Sequence, residues 1–135
     1  AEMLAPLIDM KGVAAFSLQK GAGAGQVAES GLAGRLIDWT GDRDNDGAFV
    51  DTAAMIDSLD LVISVDTAIA HLAGALGRPV WLMLGAAPDF RWMLAREDSP
   101  WYPTLHIFRQ GRNGDWAALV DRVRAALARR IAGGW

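Results

Sequence analysis

The residues best placed to do chemistry lie in Ser64-Val65-Asp66-Thr67-Ala68-Ile69-Ala70-His71, where a short apolar run ends in Asp-Thr and a helical pattern opens at once. The first amides of a helix have no partner inside it, and with the helix dipole they attract anions. The small residues at 67, 68 and 70 let a phosphate approach, and His71, one turn in, sits off the Ile69/Leu72/Leu76 stripe, so that its ring can face the same end. The same residues also have a plainer reading, in which Asp66 or Thr67 only caps the helix and His71 is a surface histidine. A second candidate is the loop Gln19-Lys20-Gly21-Ala22-Gly23-Ala24-Gly25, whose Lys20 can reach a diphosphate. It matches neither the GxxxxGK[ST] phosphate loop nor the GxGxxG dinucleotide fingerprint, and its plainer reading is a mobile surface turn.

Asp42-Arg43-Asp44-Asn45-Asp46-Gly47 follows the first half of a calcium loop, but the twelfth position is Ala53 where a bidentate glutamate belongs. A solvated acidic turn is the plainer reading. The chain has no cysteine and only two histidines, His71 and His106, so thiolate chemistry and histidine-rich metal sites are ruled out. No GxSxG elbow is present, which disfavours hydrolase chemistry. Neither a metal nor a cofactor is expected.

These loops need strands and helices to hold them. Apolar runs at 61–65, 80–84 and 105–109 read as buried strands, and 13–18 and 35–39 as two earlier ones. Between them, helices are expected over about Gly25 to Ser30, from Asp51 or Thr52 through Leu59, over Thr67 to Leu76, and from Asp115 onward. In the last of these Trp116, Leu119, Val120, Val123 and Leu127 recur at helical spacing behind the cap Asp115. Continuous apolar strands alternating with helices predict an α/β domain: an open, parallel, Rossmann-like sheet of about five strands with helices on both faces. Ligands of such a sheet gather beyond the carboxyl ends of its strands, which is where both candidate loops fall. The long aromatic segment between Pro88 and Pro103, with Phe90, Trp92, Trp101 and Tyr102, reads either as a core plug or as cover for a cleft or another domain.

With 135 residues, 52% of them hydrophobic and 21% charged, the chain has the size and composition of a single folded domain. No apolar run is long enough to span a bilayer and no signal peptide opens the chain, so a cytoplasmic location is expected. Residues 1–67 carry 11 acids and 4 bases, and residues 68–135 carry 5 acids and 9 bases. That balance offers small anions a basic half but has no dense basic block, so a nucleic-acid partner is not expected.

The run from Asp51-Thr52-Ala53-Ala54-Met55-Ile56 through Ser64-Val65-Asp66-Thr67-Ala68 to His71-Leu72-Ala73-Gly74-Ala75-Leu76-Gly77-Arg78-Pro79-Val80 resembles the C-terminal half of the heptosyltransferase-like glycosyltransferases, glycosyltransferase family nine. It is most similar to the bacterial branch fused to tetratricopeptide repeats. Ser17-Leu18-Gln19-Lys20-Gly21, Pro88-Asp89-Phe90-Arg91-Trp92 and the stretch from Arg96 to Pro103 add to the likeness. The resemblance implies the donor-binding half of a metal-independent GT-B enzyme. Asp66, Thr67, Ala68 and His71, with Lys20 and Gly21, would hold the diphosphate of a nucleotide sugar, Asp66 also capping the helix. Where heptosyltransferases often have glycine, this chain has Ala68.

The resemblance further implies that the acceptor domain, which carries the catalytic base, and the opening strand of this domain would precede Ala1. The chain alone is then expected to be inactive. A non-catalytic module that self-associates through its open sheet is the rival reading, and a calcium-binding domain built on Asp42, Asp44 and Asp46 a third. A missing central strand would leave the strands at 13–18 and 61–65 either to close on each other or to form a homodimer, and the dimer is the favoured expectation.

Overall fold

The computed structural model describes residues 2–21, 25–32, 34–38, 44–45, 47–111 and 114–134. After a 3-10 turn at Glu2–Leu4 come α1 (Ala5–Ile8), β1 (Ala15–Ser17), α2 (Gln26–Glu29), β2 (Leu36–Asp38), α3 (Val50–Asp57), β3 (Val62–Val65), α4 (Ala68–Ala75), β4 (Val80–Leu84), β5 (Leu105–Arg109) and α5 (Trp116–Gly133). Every expected element is present, the two early strands being shorter than their apolar runs. Ala22 to Ala24, Trp39, Asp42 and Asp46 lie outside the described residues.

All the strand pairs are parallel, as the α/β reading requires, but the strands divide between two sheets, β1-β2 and β3-β4-β5. Among the described residues no ladder joins β1 to β3. β4 lies between two neighbours, and all five of its residues are buried. Alternation along a strand sends Val80, Leu82 and Leu84 to one face, with Ile56 of α3 and Ala70 and Ala73 of α4. Trp81 and Met83 go to the other, where they meet Phe108, Leu7 of α1 and the α5 stripe Leu119, Val120, Val123 and Leu127. Burial on both faces explains why β4 is apolar throughout.

The start of α5 is capped as expected, the Asp115 carboxylate accepting from the Ala118 amide at 3.1 Å. α4 ends in a Schellman turn: the Arg78 amide donates to the Ala73 carbonyl (3.0 Å) and the Gly77 amide to the Gly74 carbonyl (3.1 Å). Gly77 occupies the left-handed region there at φ +69°, which glycine adopts without strain. Of the expected face of α4, Ile69, Leu72, Ala73 and Leu76, Ala73 is buried and Ile69 and Leu72 pack half-buried on the core, whereas Leu76 is exposed; Ala70 and Gly74 are buried as well. Small residues at i, i+3 and i+4 let the helix axis lie close to its neighbours, and large side chains on that face would hold it away.

Candidate functional site

β3 stops at Val65 and α4 begins at Ala68, so Asp66 and Thr67 form the whole turn between them. Thr67 is extended (φ −144°, ψ 168°) and its side chain does not cap the helix. Its hydroxyl lies 3.1 Å from Ser64 Oγ, which also bonds the Val65 carbonyl at 2.9 Å. Asp66 turns its carboxylate toward His71, with Oδ1 3.7 Å from Nε2. The expected cap is therefore not made, because both side chains engage nearer partners. The Ala70 amide bonds back to the Thr67 carbonyl at 3.1 Å. Those of Ala68 and Ile69 have no side-chain acceptor among the described residues, and Asp66, Thr67 and Ala68 are exposed. An uncapped helix N-terminus open to solvent at the carboxyl end of a parallel strand is suited to an anion.

His71 is not a free surface histidine. Its Nδ1 lies 3.0 Å from the Tyr102 hydroxyl, its ring stacks on Trp92 at 5.1 Å between centroids, and Tyr102 stands edge-on at 5.7 Å. A carboxylate facing Nε2 favours a proton on that nitrogen, which leaves Nδ1 to accept from Tyr102 in the neutral ring. Asp66, His71 and Tyr102 thus form a chain from the mouth of the helix into the aromatic segment.

Tyr102 is seated by α4 itself. A Cβ on Gly74 would stand 2.5 Å from Tyr102 Cγ and 3.0 Å from its Cβ, so only glycine admits the ring at this position. Trp92, behind His71, is buried to 1% exposure. Its carbonyl accepts from Arg109 Nη2, and Arg109 Nε donates to the Arg96 carbonyl at 3.2 Å, which ties the aromatic segment to the end of β5. Burial pushes the Arg109 guanidinium below its ordinary pKa. Of the aromatic segment, Trp92 plugs the core, while Phe90 and Trp101 are 83% and 62% exposed.

Lys20 and Gly21 follow β1. Lys20 Nζ lies 3.9 Å from Asp44 Oδ2, and Gly21, at φ +80°, is exposed. Asp44 in turn accepts from the Thr52 hydroxyl at 2.7 Å and the Thr52 amide at 3.1 Å. These bonds, the hydroxyl first, hold its carboxyl below the ordinary value. Asp44 is thus engaged with the first turn of α3. Among the described residues no group of three His, Asp or Glu gathers as metal ligands.

Sequence reasoning singled out Asp66, Thr67, Ala68 and His71, which the fold brings together at the β3–α4 turn, and named Trp92 and Tyr102 only as part of the aromatic segment, without their contacts to His71 or the role of Gly74 in seating Tyr102. It also passed over Gln110, buried just beyond β5, whose Oε1 accepts from the Gly114 amide at 3.3 Å. No spacing announces a pair 31 residues apart. The one local sign was a glycine inside a helical pattern, where it costs helix stability unless close packing needs it.

Residues 48–123 match Glycosyltransferase family 9 (heptosyltransferase). That range contains α3, the β3–α4 turn, His71, Trp92 and Tyr102, while Lys20 and Gly21 fall outside it. Protein FlbA of Caulobacter vibrioides is 39% identical over 77 residues, which is 57% of this chain and 13% of FlbA. The chain therefore spans a small part of the length of that relative. No solved structure matches. The uncapped α4 terminus, its histidine and the match across most of the sheet region lead to one conclusion: the chain belongs to glycosyltransferase family 9.

Proposed function

We propose that this domain binds the diphosphate of a nucleotide-sugar donor at the start of α4, as the donor-binding part of a glycosyltransferase completed by a second domain. The observation that carries the reading is the α4 N-terminus, exposed, without a side-chain cap, and bordered by a histidine held in place from behind. The Ala68 and Ile69 amides would take one phosphate. His71 would donate to it through Nε2, exchanging its contact with Asp66 for one with the phosphate. As the sugar leaves, negative charge grows on the diphosphate, and fixed amides and a held imidazole stabilise that charge without rearranging. Lys20 and Gly21 would border the site from the end of β1, with Lys20 released from Asp44 when the donor is bound.

Deprotonation of the acceptor hydroxyl is assigned to the second domain, so the 135 residues alone should transfer no sugar. Calorimetric titration with uridine and adenosine diphosphates, paired with amide spectra, tests the site. Shifts concentrated at residues 66–71, with smaller ones at Lys20 and Gly21, and saturable heat are expected. Saturating nucleotide that leaves those amides unmoved would refute the assignment.

A further inference from the structure

Arg109 ends β5 with a charge that nothing around it neutralises. Alternation along the strand puts it on the face of Leu105 and Ile107, which pack with Ala70 and Ala73 of α4. Its Nη2 donates to the Trp92 carbonyl and its Nε to the Arg96 carbonyl at 3.2 Å, both neutral acceptors. Nη1 is buried and has no acceptor among the described residues. The charged groups of the aromatic segment are engaged elsewhere. Arg91 Nη1 lies 3.1 Å from Asp89 Oδ1, Arg96 Nε lies 2.6 Å from Asp98 Oδ1, and Glu97 lines a cleft with Arg122 and Arg129 of α5. Burial lowers the Arg109 pKa, with no charged neighbour to oppose it. Taking a guanidinium partly out of water without a counter-ion is costly. Neutral N–H groups would bridge the two carbonyls as well, so the strap alone does not account for the charge.

The position of that charge identifies its counter-ion. The register sets Val65 beside Met83 and Leu84 beside Arg109, so Arg109 stands level with Asp66, the first residue of the β3–α4 turn. β5 is two strand spacings from β3, about 10 Å, and the Arg109 side chain lies on the face that α4 covers. Trp92, whose carbonyl Arg109 holds, stacks on His71 at 5.1 Å. Trp92 Nε1 and Gln110 Nε2 are likewise buried donors without an acceptor, and no buried side-chain oxygen is left unpaired among the described residues. An end of the fold with unused N–H donors and an unneutralised positive charge is suited to an anion.

We propose that Arg109 is a positioning residue of the donor site, whose charge, held beneath the aromatic segment, draws and retains the diphosphate at the start of α4 through its field and without contact. The inference rests on the donor reading and gives it a second source of positive potential, on a different strand.

Its test uses calorimetry on the parent, Arg109→Met and Arg109→Lys, with uridine and adenosine diphosphates and the corresponding uncharged nucleosides, at low and at high ionic strength. Near-UV circular dichroism reports whether each variant folds. One charge acting on a diphosphate over about 10 Å is worth roughly 10-fold in affinity, so Arg109→Met should weaken both diphosphates by about that factor, and more at low salt than at high. Arg109→Lys keeps the charge without the fork that spans two carbonyls, and should stay within about 3-fold of the parent. Neither variant should change the affinity for nucleosides. In Arg109→Lys the pKa of the new ammonium group, read from its Cε resonance, should rise on adding diphosphate and not on adding nucleoside, a readout that does not depend on the methionine variant. A parent that binds neither diphosphate would remove the donor site and the role of Arg109 with it. Three results would leave the donor site standing and refute the role of the charge: a folded Arg109→Met that binds as well as the parent; an ammonium pKa that diphosphate does not move; or an Arg109→Lys as weak as Arg109→Met with nucleosides weakened too, which marks a strap only.

Discussion

Replacing Gly74 by alanine separates packing from propensity, because the two effects have opposite signs. In an exposed helix interior, Gly→Ala stabilises by roughly 0.5 to 1 kcal/mol. Here the added Cβ would stand 2.5 Å from Tyr102 Cγ, 2.8 Å from Cδ1 and 3.0 Å from Cβ. Ordinary carbon contacts begin near ~3.5 Å, so the Tyr102 ring and its Cβ must retreat by about 1 Å. The atoms struck are the root of the side chain, which moves only with its backbone, and overpacking of this kind costs about 1 to 3 kcal/mol. The same retreat lengthens the 3.0 Å contact of the hydroxyl with His71 Nδ1 beyond hydrogen-bond range, which costs a further ~0.5 to 1.5 kcal/mol. The propensity gain offsets part of this, leaving a net loss of about 1 to 3 kcal/mol and a fall in Tm of several degrees. Urea and thermal unfolding read the stability, and the ring nitrogen resonances of His71 read the hydrogen bond. A variant as stable as the parent or more so, with unmoved His71 resonances, would refute the argument that Gly74 seats Tyr102.

Three further outcomes are expected. Tyr102→Phe keeps the ring but removes the hydroxyl, so it should cost only about 0.5 to 1.5 kcal/mol while moving the His71 ring nitrogen resonances and leaving the Trp92 stack intact, as near-UV circular dichroism can show. Ala68→Asp places a carboxylate where the diphosphate would sit, and since acids suit the first turn of a helix it should abolish nucleotide binding in calorimetry without lowering the unfolding temperature. The bonds from Thr52 depress the Asp44 pKa in the folded state, so their contribution is present above the ordinary carboxylate range, near ~4, and is lost as pH falls through and below it. Urea midpoints between about pH 3 and 6 should therefore fall more steeply for the parent than for Asp44→Asn, and equal slopes would contradict that role.

Much of the architecture was written locally, within reach of a few residues. The Asp115 cap, the Gly77 turn, the uninterrupted apolar run of β4 and the Ser64-to-His71 junction each depend on neighbours within about one or two helical turns, and each was legible as a pattern. What the pattern could not convey was which segments meet. Asp66 and Thr67 read as caps because their types suit capping, yet they turn to His71 and Ser64, partners that only the folded loop brings near. Hydrophobicity placed Ile69, Leu72 and Ala73 of α4 against the core but also Leu76, which is exposed, and gave no sign that Ala70 and Gly74 would be buried. Tyr102 and Trp92 reach His71 from another part of the chain, and Lys20 finds Asp44 across a different loop. The break between the sheets is likewise invisible in any strand taken alone, because a strand encodes its two faces in its side chains but not what bonds to its edges. Side-chain periodicity is a property of consecutive residues; pairing and close approach are properties of the assembled fold, and the site depends on both.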